Sequence, residues 1–195
     1  MNHDLLLEKG ISLKRRRIFL SGEIENGKSD VIIRSLLLMA DIGKEDITLV
    51  INSLGGDLYD TFAIYDIMKS IPNQIRTISV GKCQSAAPLI LAAGAPNKRF
   101  SFPNCHFMVH DIWTEGPPDA TVEAARRELR HTTELRKRYI ELMGRNTKIA
   151  ATDWKKICRR PGDSFFGVEK ALQYGIIDSI ITTDDIWESY NDKKE

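Results

Sequence analysis

Cysteine and histidine are scarce here, with three and four residues in a chain of 195. Cys83, Cys105 and Cys158 are odd in number and lack any C-x-x-C spacing, which argues against both a disulfide framework and a zinc site. They read as reduced thiols of a cytoplasmic protein, with Cys83 a minor candidate nucleophile. No apolar run approaches the ~20 residues that a membrane-spanning helix needs. The three leucines between Asp4 and Glu8 are too few, and too acidic in setting, for a signal peptide. A formal net charge of +1 offers no field towards nucleic acid or an anionic membrane. Internal repeats, low-complexity blocks and linkers are missing as well. What remains, 42% hydrophobic and 28% charged, is the composition of one ordinary globular domain, residues 1–195, able to bury a core without staples. The basic run Lys14-Arg15-Arg16-Arg17 reads as a solvated approach to a strand.

Strand-like and helix-like stretches alternate along the chain. Residues 17–20 and 47–51 are β-rich, the second running into a turn-like Asn52-Ser53-Leu54-Gly55-Gly56, and residues 30–42 have helical apolar content. From Asp57 to Ser70 apolar residues recur at helical spacing (Leu58, Phe62, Tyr65, Met68) and stop before Pro72. A strand at 75–80, a helix after Ser85 and a strand at 105–110 follow. This order predicts an α/β fold, a mainly parallel sheet with crossover helices. Residues 119–145 form one long, heavily charged helical pattern, of the kind that projects from a core or packs through a narrow stripe. Shorter helices at 152–159 and 168–174, the last closed by Gly175, complete the pattern. The polar tail, 189–195, is expected to fray.

One motif points elsewhere. "GEIENGKS", Gly22 to Ser29, satisfies the phosphate-loop pattern G-x-x-x-x-G-K-[ST] between a strand and a helix. Its chemistry tells against nucleotide hydrolysis. Glu23 and Glu25 would put carboxylates where backbone amides should receive phosphates. The strand ending at Ile51 continues into Asn52 instead of an aspartate for magnesium, and Asp178 is a weak substitute. A nucleotide hydrolase using Lys28 is kept as a minor alternative.

"VGKCQSAAPLILAAG", Val80 to Gly94, sets Ser85 between a strand and a helix. Taken alone, such a serine reads first as a helix N-cap. A catalytic reading needs a base, a group to orient it, and N–H donors for an oxyanion. The Ala86 N–H, at a helix start, favours developing negative charge, and Pro88 costs little in a first helical turn. Gly55-Gly56 can bring backbone amides close to a substrate carbonyl, because no side chain intervenes. His110 follows Phe107-Met108-Val109 and is placed to present a base at a strand's end. His106 shares its strand parity and stays open as a rival. His3 and His131 read as structural or solvent-facing.

"INSLGGDLYDTFAIYD", "GKCQSAAPLILAAGAPNKRFSFPN", "FMVH" and "ALQYGIIDSI", in this order and spacing over residues 17–181, resemble the ClpP family, the peptidase subunits of the Clp protease. The resemblance implies the ClpP/crotonase fold, with a handle region at about residues 111–150 carrying contacts between rings. It implies Ser85 as nucleophile, His110 as general base and Asp163, in "RRPGDSFFG", as the third triad member. The oxyanion donors would be the backbone amides of Gly56 and Ala86. A serine endopeptidase is expected, self-assembled into a heptameric ring or a stacked pair of rings, degrading peptides or unfolded proteins in an enclosed chamber. No metal or cofactor is implied on this chain; ATP would be used only by an AAA+ unfoldase partner. Two alternatives remain: a crotonase-like enzyme with an oxyanion hole but no such triad, and an inactive scaffold subunit of a mixed ring.

The chain also departs from the family. Leu54 replaces the usual proline before the paired glycines, and Ala86 replaces the methionine after the nucleophile. Neither change removes a backbone donor. Gly162 precedes Asp163 where the family usually has an arginine tied to ring-to-ring contact. Asp163 lies further from His110 than the family spacing, as a short insertion near 145–152 would produce. After His110 the chain reads Asp111-Ile112-Trp113-Thr114-Glu115-Gly116-Pro117-Pro118 instead of a glycine-rich edge, and the two prolines lack N–H donors for a substrate strand. The segment before the first strand, residues 1–16, is shorter than the family's and leaves the partner open. These features describe a divergent member.

Overall fold

The computed structural model describes residues 10–112 and 121–181; His3, the Gly116-Pro117-Pro118 stretch and the 189–195 tail lie outside them. The chain order is β1 (Ile11–Ser12), β2 (Arg17–Ile24), α1 (Asn26–Ile42), β3 (Ile47–Gly56), α2 (Leu58–Ser70), β4 (Ile75–Gln84) and α3 (Ala87–Ala92). It continues with β5 (Arg99–Ser101), β6 (His106–Val109), α4 (Val122–Asn146), α5 (Ala151–Cys158), β7 (Ser164–Phe166), α6 (Val168–Tyr174) and β8 (Ser179–Ile180). The sheet runs β1-β2-β3-β4-β5-β8, with β6 joined to β4 and β7 to β6. All pairings are parallel except β1 with β2 and β6 with β7. The expected α/β architecture, a mainly parallel sheet with crossover helices, is therefore what the chain adopts. Successive strand side chains point to opposite faces, and in β3 Ile47, Leu49 and Ile51 all turn inward and are fully buried.

Two strands outrun their sequence signal. The turn-like Asn52–Gly56 is strand, because β2 pairs with it to the end, Ile24 opposite Gly56, across a bulge at Gly22/Glu23. A Cβ on Gly56, at φ +151°, would stand 2.2 Å from the Ile24 carbonyl oxygen, so the ladder closes there only over glycine. β4 likewise runs past Val80 and changes partners on the way. Thr77–Ser79 pair with β5, and Lys82–Gln84 pair with β6. One strand thus carries both halves of the sheet.

The phosphate-loop motif dissolves in this fold. Gly22–Ile24 are strand and α1 begins at Asn26, which leaves no loop to cradle a phosphate. Lys28 Nζ donates to the Glu23 carbonyl (2.8 Å) and pairs with Glu25 (3.7 Å), while Ser29 Oγ donates to Asp60 (2.6 Å). With no loop to receive a phosphate, and with lysine and hydroxyl both bonded to groups of the chain itself, the structure argues against the nucleotide-hydrolase alternative.

The basic run is also not simply solvated. Arg16 sends its guanidinium to the carbonyls of Met39 (2.8 Å), Glu45 (3.1 Å) and Gly43 (3.2 Å), at the open C-terminal end of α1. A cation there satisfies orphan acceptors and the negative end of the helix dipole. Arg16→Ala should lower the unfolding free energy by about 2–3 kcal/mol, the range for charge-assisted hydrogen bonds. A urea titration of the assembled protein would show it as a lower midpoint with unchanged slope.

The C-terminal third is tied down by a second arginine. Arg99 donates from Nε (2.9 Å) and its backbone N (3.1 Å) to Asp178, and from Nη1 to the carbonyls of Asn146 (2.6 Å) and Gly175 (2.8 Å). One side chain so gathers β5, the end of α4, the left-handed cap of α6 and the approach to β8. Burial alone would raise the Asp178 carboxyl, but the hydrogen bonds and charge of Arg99 outweigh it and hold the group below its ordinary value. The long helix α4 packs through a narrow stripe, as its charge pattern predicts: Tyr139, Ile140, Leu142 and Met143 are buried. Among the described residues no helix is long and apolar enough to cross a membrane.

Candidate active site

Ser85 is not a helix cap. α3 begins at Ala87 with Ala86 in the cap position and no side-chain capping bond. Ser85 instead occupies the turn between β4 and α3 at φ +56°, a left-handed conformation uncommon for residues other than glycine. Such a backbone costs on the order of 1–3 kcal/mol and persists only where its surroundings hold it. Here they do so from both sides. The Ser85 N–H donates to the Met108 carbonyl of β6 (2.8 Å), and the Tyr139 hydroxyl of α4 donates to the Ser85 carbonyl (2.8 Å). The result lifts Oγ out of the strand–helix corner, the device by which nucleophilic serines are presented on other folds.

β6 brings the partner. His110, half-buried just beyond its end, places Nε2 2.7 Å from Ser85 Oγ. With a neutral imidazole protonated on Nδ1, the serine hydroxyl donates to Nε2, and that nitrogen is poised to take its proton. Ser85 and His110 hang from adjacent parallel strands, Lys82–Gln84 paired with His106–Met108, so their separation is set by sheet hydrogen bonds.

A cavity of about 670 Å³ opens over this pair, lined by Leu54, Gly56, Ala86 and His110 and roofed by Leu135 and Tyr139 of α4. Behind the Ser85 turn Gly55 has φ +91°, and a Cβ there would stand 2.5 Å from Ser85 Cβ and 2.8 Å from Ala86 N. The glycine leaves open the space beside both atoms. Ala86 is 2% exposed, and among the described residues no acceptor takes its N–H. A buried backbone donor without a partner, next to a serine–histidine pair, is ready to meet an oxygen that develops charge.

The family model for Clp protease matches residues 8–184. The chain is also 32% identical over 171 residues to the ATP-dependent Clp protease proteolytic subunit 2 of Thermobifida fusca, covering 87% of this chain and 82% of that protein. The chain belongs to the Clp protease family. It is a ClpP-type protein, and the mostly parallel sheet and six helices among its described residues are the ClpP fold.

Against that family frame the other residues fall into place. Asp163 lies next to the β6–β7 ladder, whose antiparallel register, Val109 opposite Ser164, sets it across from His110. Its side chain is exposed and makes no hydrogen bond to His110. Asp111, adjacent to His110, is engaged by Arg136 of α4 (3.1 Å). His106 is exposed at the start of β6, away from Ser85. Cys83 is fully buried, and desolvation first, then the neighbouring Cys105, pushes its thiol well above the ordinary value, which makes it inert as a nucleophile. His131 does more than face solvent: it lines the Ser85 cavity and stacks on Tyr59 of α2, ring centroids 5.8 Å apart. Tyr139 is the residue sequence reasoning passed over. Its signal was present in the Leu135, Tyr139, Leu142, Met143 spacing, an apolar stripe inside an otherwise charged helix.

Proposed function

We propose that this ClpP-type protein is a serine endopeptidase with Ser85 as nucleophile and His110 as general base. The observation that carries the reading is the 2.7 Å approach of Ser85 Oγ to His110 Nε2 beneath an open cavity, with Ser85 in a left-handed turn. Ser85 Oγ attacks the peptide carbonyl carbon as His110 Nε2 takes the hydroxyl proton. The amides of Gly56 and Ala86 hold the tetrahedral oxyanion. His110 then returns the proton to the leaving amine as the C–N bond breaks, and water enters by the same base to release the acyl group. Asp163 orients His110 in this reading. Its register opposite His110 supports that role, and catalytic hydrogen bonds commonly tighten only when substrate is bound.

The name of the Thermobifida fusca relative, a proteolytic subunit of an ATP-dependent protease, supports a subunit that works within an assembly. We place this chain in a ring of seven, single or stacked, whose chamber admits peptides or unfolded chains, in the cytoplasm. ATP is consumed by an AAA+ unfoldase partner, and this chain needs no metal or cofactor of its own.

Labelling with a fluorophosphonate followed by peptide mapping tests the reading. An adduct on Ser85, lost in His110→Ala with peptide hydrolysis down by about 10⁶-fold, is expected. An assembled protein that takes no adduct would leave the inactive scaffold subunit as the better account.

A further inference from the structure

The bond from Tyr139 to the nucleophile's own carbonyl has a consequence beyond packing. A peptide unit is planar and, in the trans form found throughout the described chain, its C=O and N–H point in opposite directions. The Ser85 carbonyl belongs to the same plane as the Ala86 N–H. Tyr139 Oη donates to that carbonyl at 2.8 Å. The opposite edge of the plane, Ala86 N, borders the space that Gly55 keeps open, 2.8 Å from where a Cβ would stand. Fixing the oxygen therefore fixes the direction of the nitrogen's hydrogen.

We propose that Tyr139 is a positioning residue for peptide hydrolysis: its hydroxyl locks the Ser85–Ala86 peptide plane so that the Ala86 N–H faces the substrate cavity. The role rests on the serine-peptidase reading of the same site. Three features support it. Tyr139 is 5% exposed and sits on the buried stripe of α4, so its ring cannot swing away. The Ser85 N–H is itself held by the Met108 carbonyl, so the plane before Ser85 is fixed, and the plane after it is the one left for Tyr139 to set. Burial first, and then the neighbouring Cys158 and Cys83, push the phenol well above its ordinary value, so the hydroxyl keeps the proton it donates. No other described group donates to the Ser85 carbonyl.

Tyr139→Phe keeps the ring and removes only the donor; Tyr139→Met removes the donor and retains an apolar filling. Both should lower kcat for a fluorogenic peptide, and the rate of fluorophosphonate acylation of Ser85, by about tenfold, the value of one net hydrogen bond. KM should stay within twofold. Hydrogen–deuterium exchange read by mass spectrometry should show the Ala86 amide exchanging at least tenfold faster in both variants, independent of any activity. Wild-type rates of acylation and exchange in both variants would overturn the proposal. If the wild type takes no adduct, the peptidase reading itself has failed, and the exchange comparison alone decides whether Tyr139 locks the plane.

Discussion

Gly55→Ala is expected to reduce kcat/KM for peptide hydrolysis by about a thousandfold or more. The added methyl must stand 2.5 Å from Ser85 Cβ, 2.7 Å from the Gln84 carbonyl oxygen and 2.8 Å from Ala86 N, all closer than carbon tolerates. None of these atoms is the free end of a flexible side chain. The turn at Ser85 must move as a unit, and with it the Ser85–His110 approach. Loss of one oxyanion donor costs about 10²–10³ in rate, and a nucleophile misplaced by about 1 Å costs about 10² more. The left-handed φ of +91° at Gly55 adds backbone strain for alanine. Gly27→Ala, in a helix with nothing within 4 Å of the new carbon, is the matched control and should keep full activity. Steady-state kinetics on both variants, with native mass to show equal assembly, make the comparison. A Gly55→Ala protein with near-normal turnover would mean that the turn at Ser85 is not where the chemistry occurs.

The second large effect concerns folding. Arg99→Met should cost about 3 kcal/mol, the lower end of the range for breaking a buried ion pair because the partners keep 12% and 18% exposure. In a chain of this length that corresponds to a melting temperature lower by roughly 10 °C. The substitution strands the Asp178 carboxylate and leaves the Asn146 and Gly175 carbonyls without their donor. Asp178 also gives the clamp a pH signature. Its folded value lies below the ordinary 3.8, so the contribution is fully present above about that pH and fades as acid carries the solution through the lower, folded value. Melting curves from neutral pH downward should therefore show Asp178→Asn less stable than the wild type near neutrality, with the gap narrowing in acid. A gap independent of pH would remove the carboxylate from the account.

Much of this molecule was legible before its fold was known. The helix from Leu58 to Ser70 follows from apolar spacing and the stop before Pro72; the structure adds Asp57 as its cap, whose side chain accepts the Asp60 N–H at 3.0 Å. The helix Val168–Tyr174 with its left-handed Gly175 is legible in the same way. Other features were hidden for identifiable reasons. β1, β7 and β8 are two or three residues long, too short for a period to show. Asn52–Gly56 carries turn residues, yet pairing with β2 holds it extended; tertiary contact overrode local propensity. At Ser85 the local pattern pointed to a cap, and only the φ angle with its two anchors shows that the residue stands in a turn outside the cap position. Arg16 and Tyr139 reach acceptors 23 and 54 residues away, and no local window can report such bonds.

The continuous course of β4 bears on how the protein comes apart. Its middle residues hold β5 and its final residues hold β6, so the serine follows this interior strand and the histidine follows the strand paired to its end. Cooperative opening in proteins begins at edges and short terminal elements, which among the described residues are β1, β7 and β8. Opening at β1 or β8 leaves the serine–histidine pair intact, whereas opening at β7 strips the strand that leads to His110 of one neighbour. The Ser85 amide, bonded to the Met108 carbonyl, should then be protected like the slowest-exchanging core, so partial unfolding at β1 or β8 and the integrity of the Ser85 turn are separable.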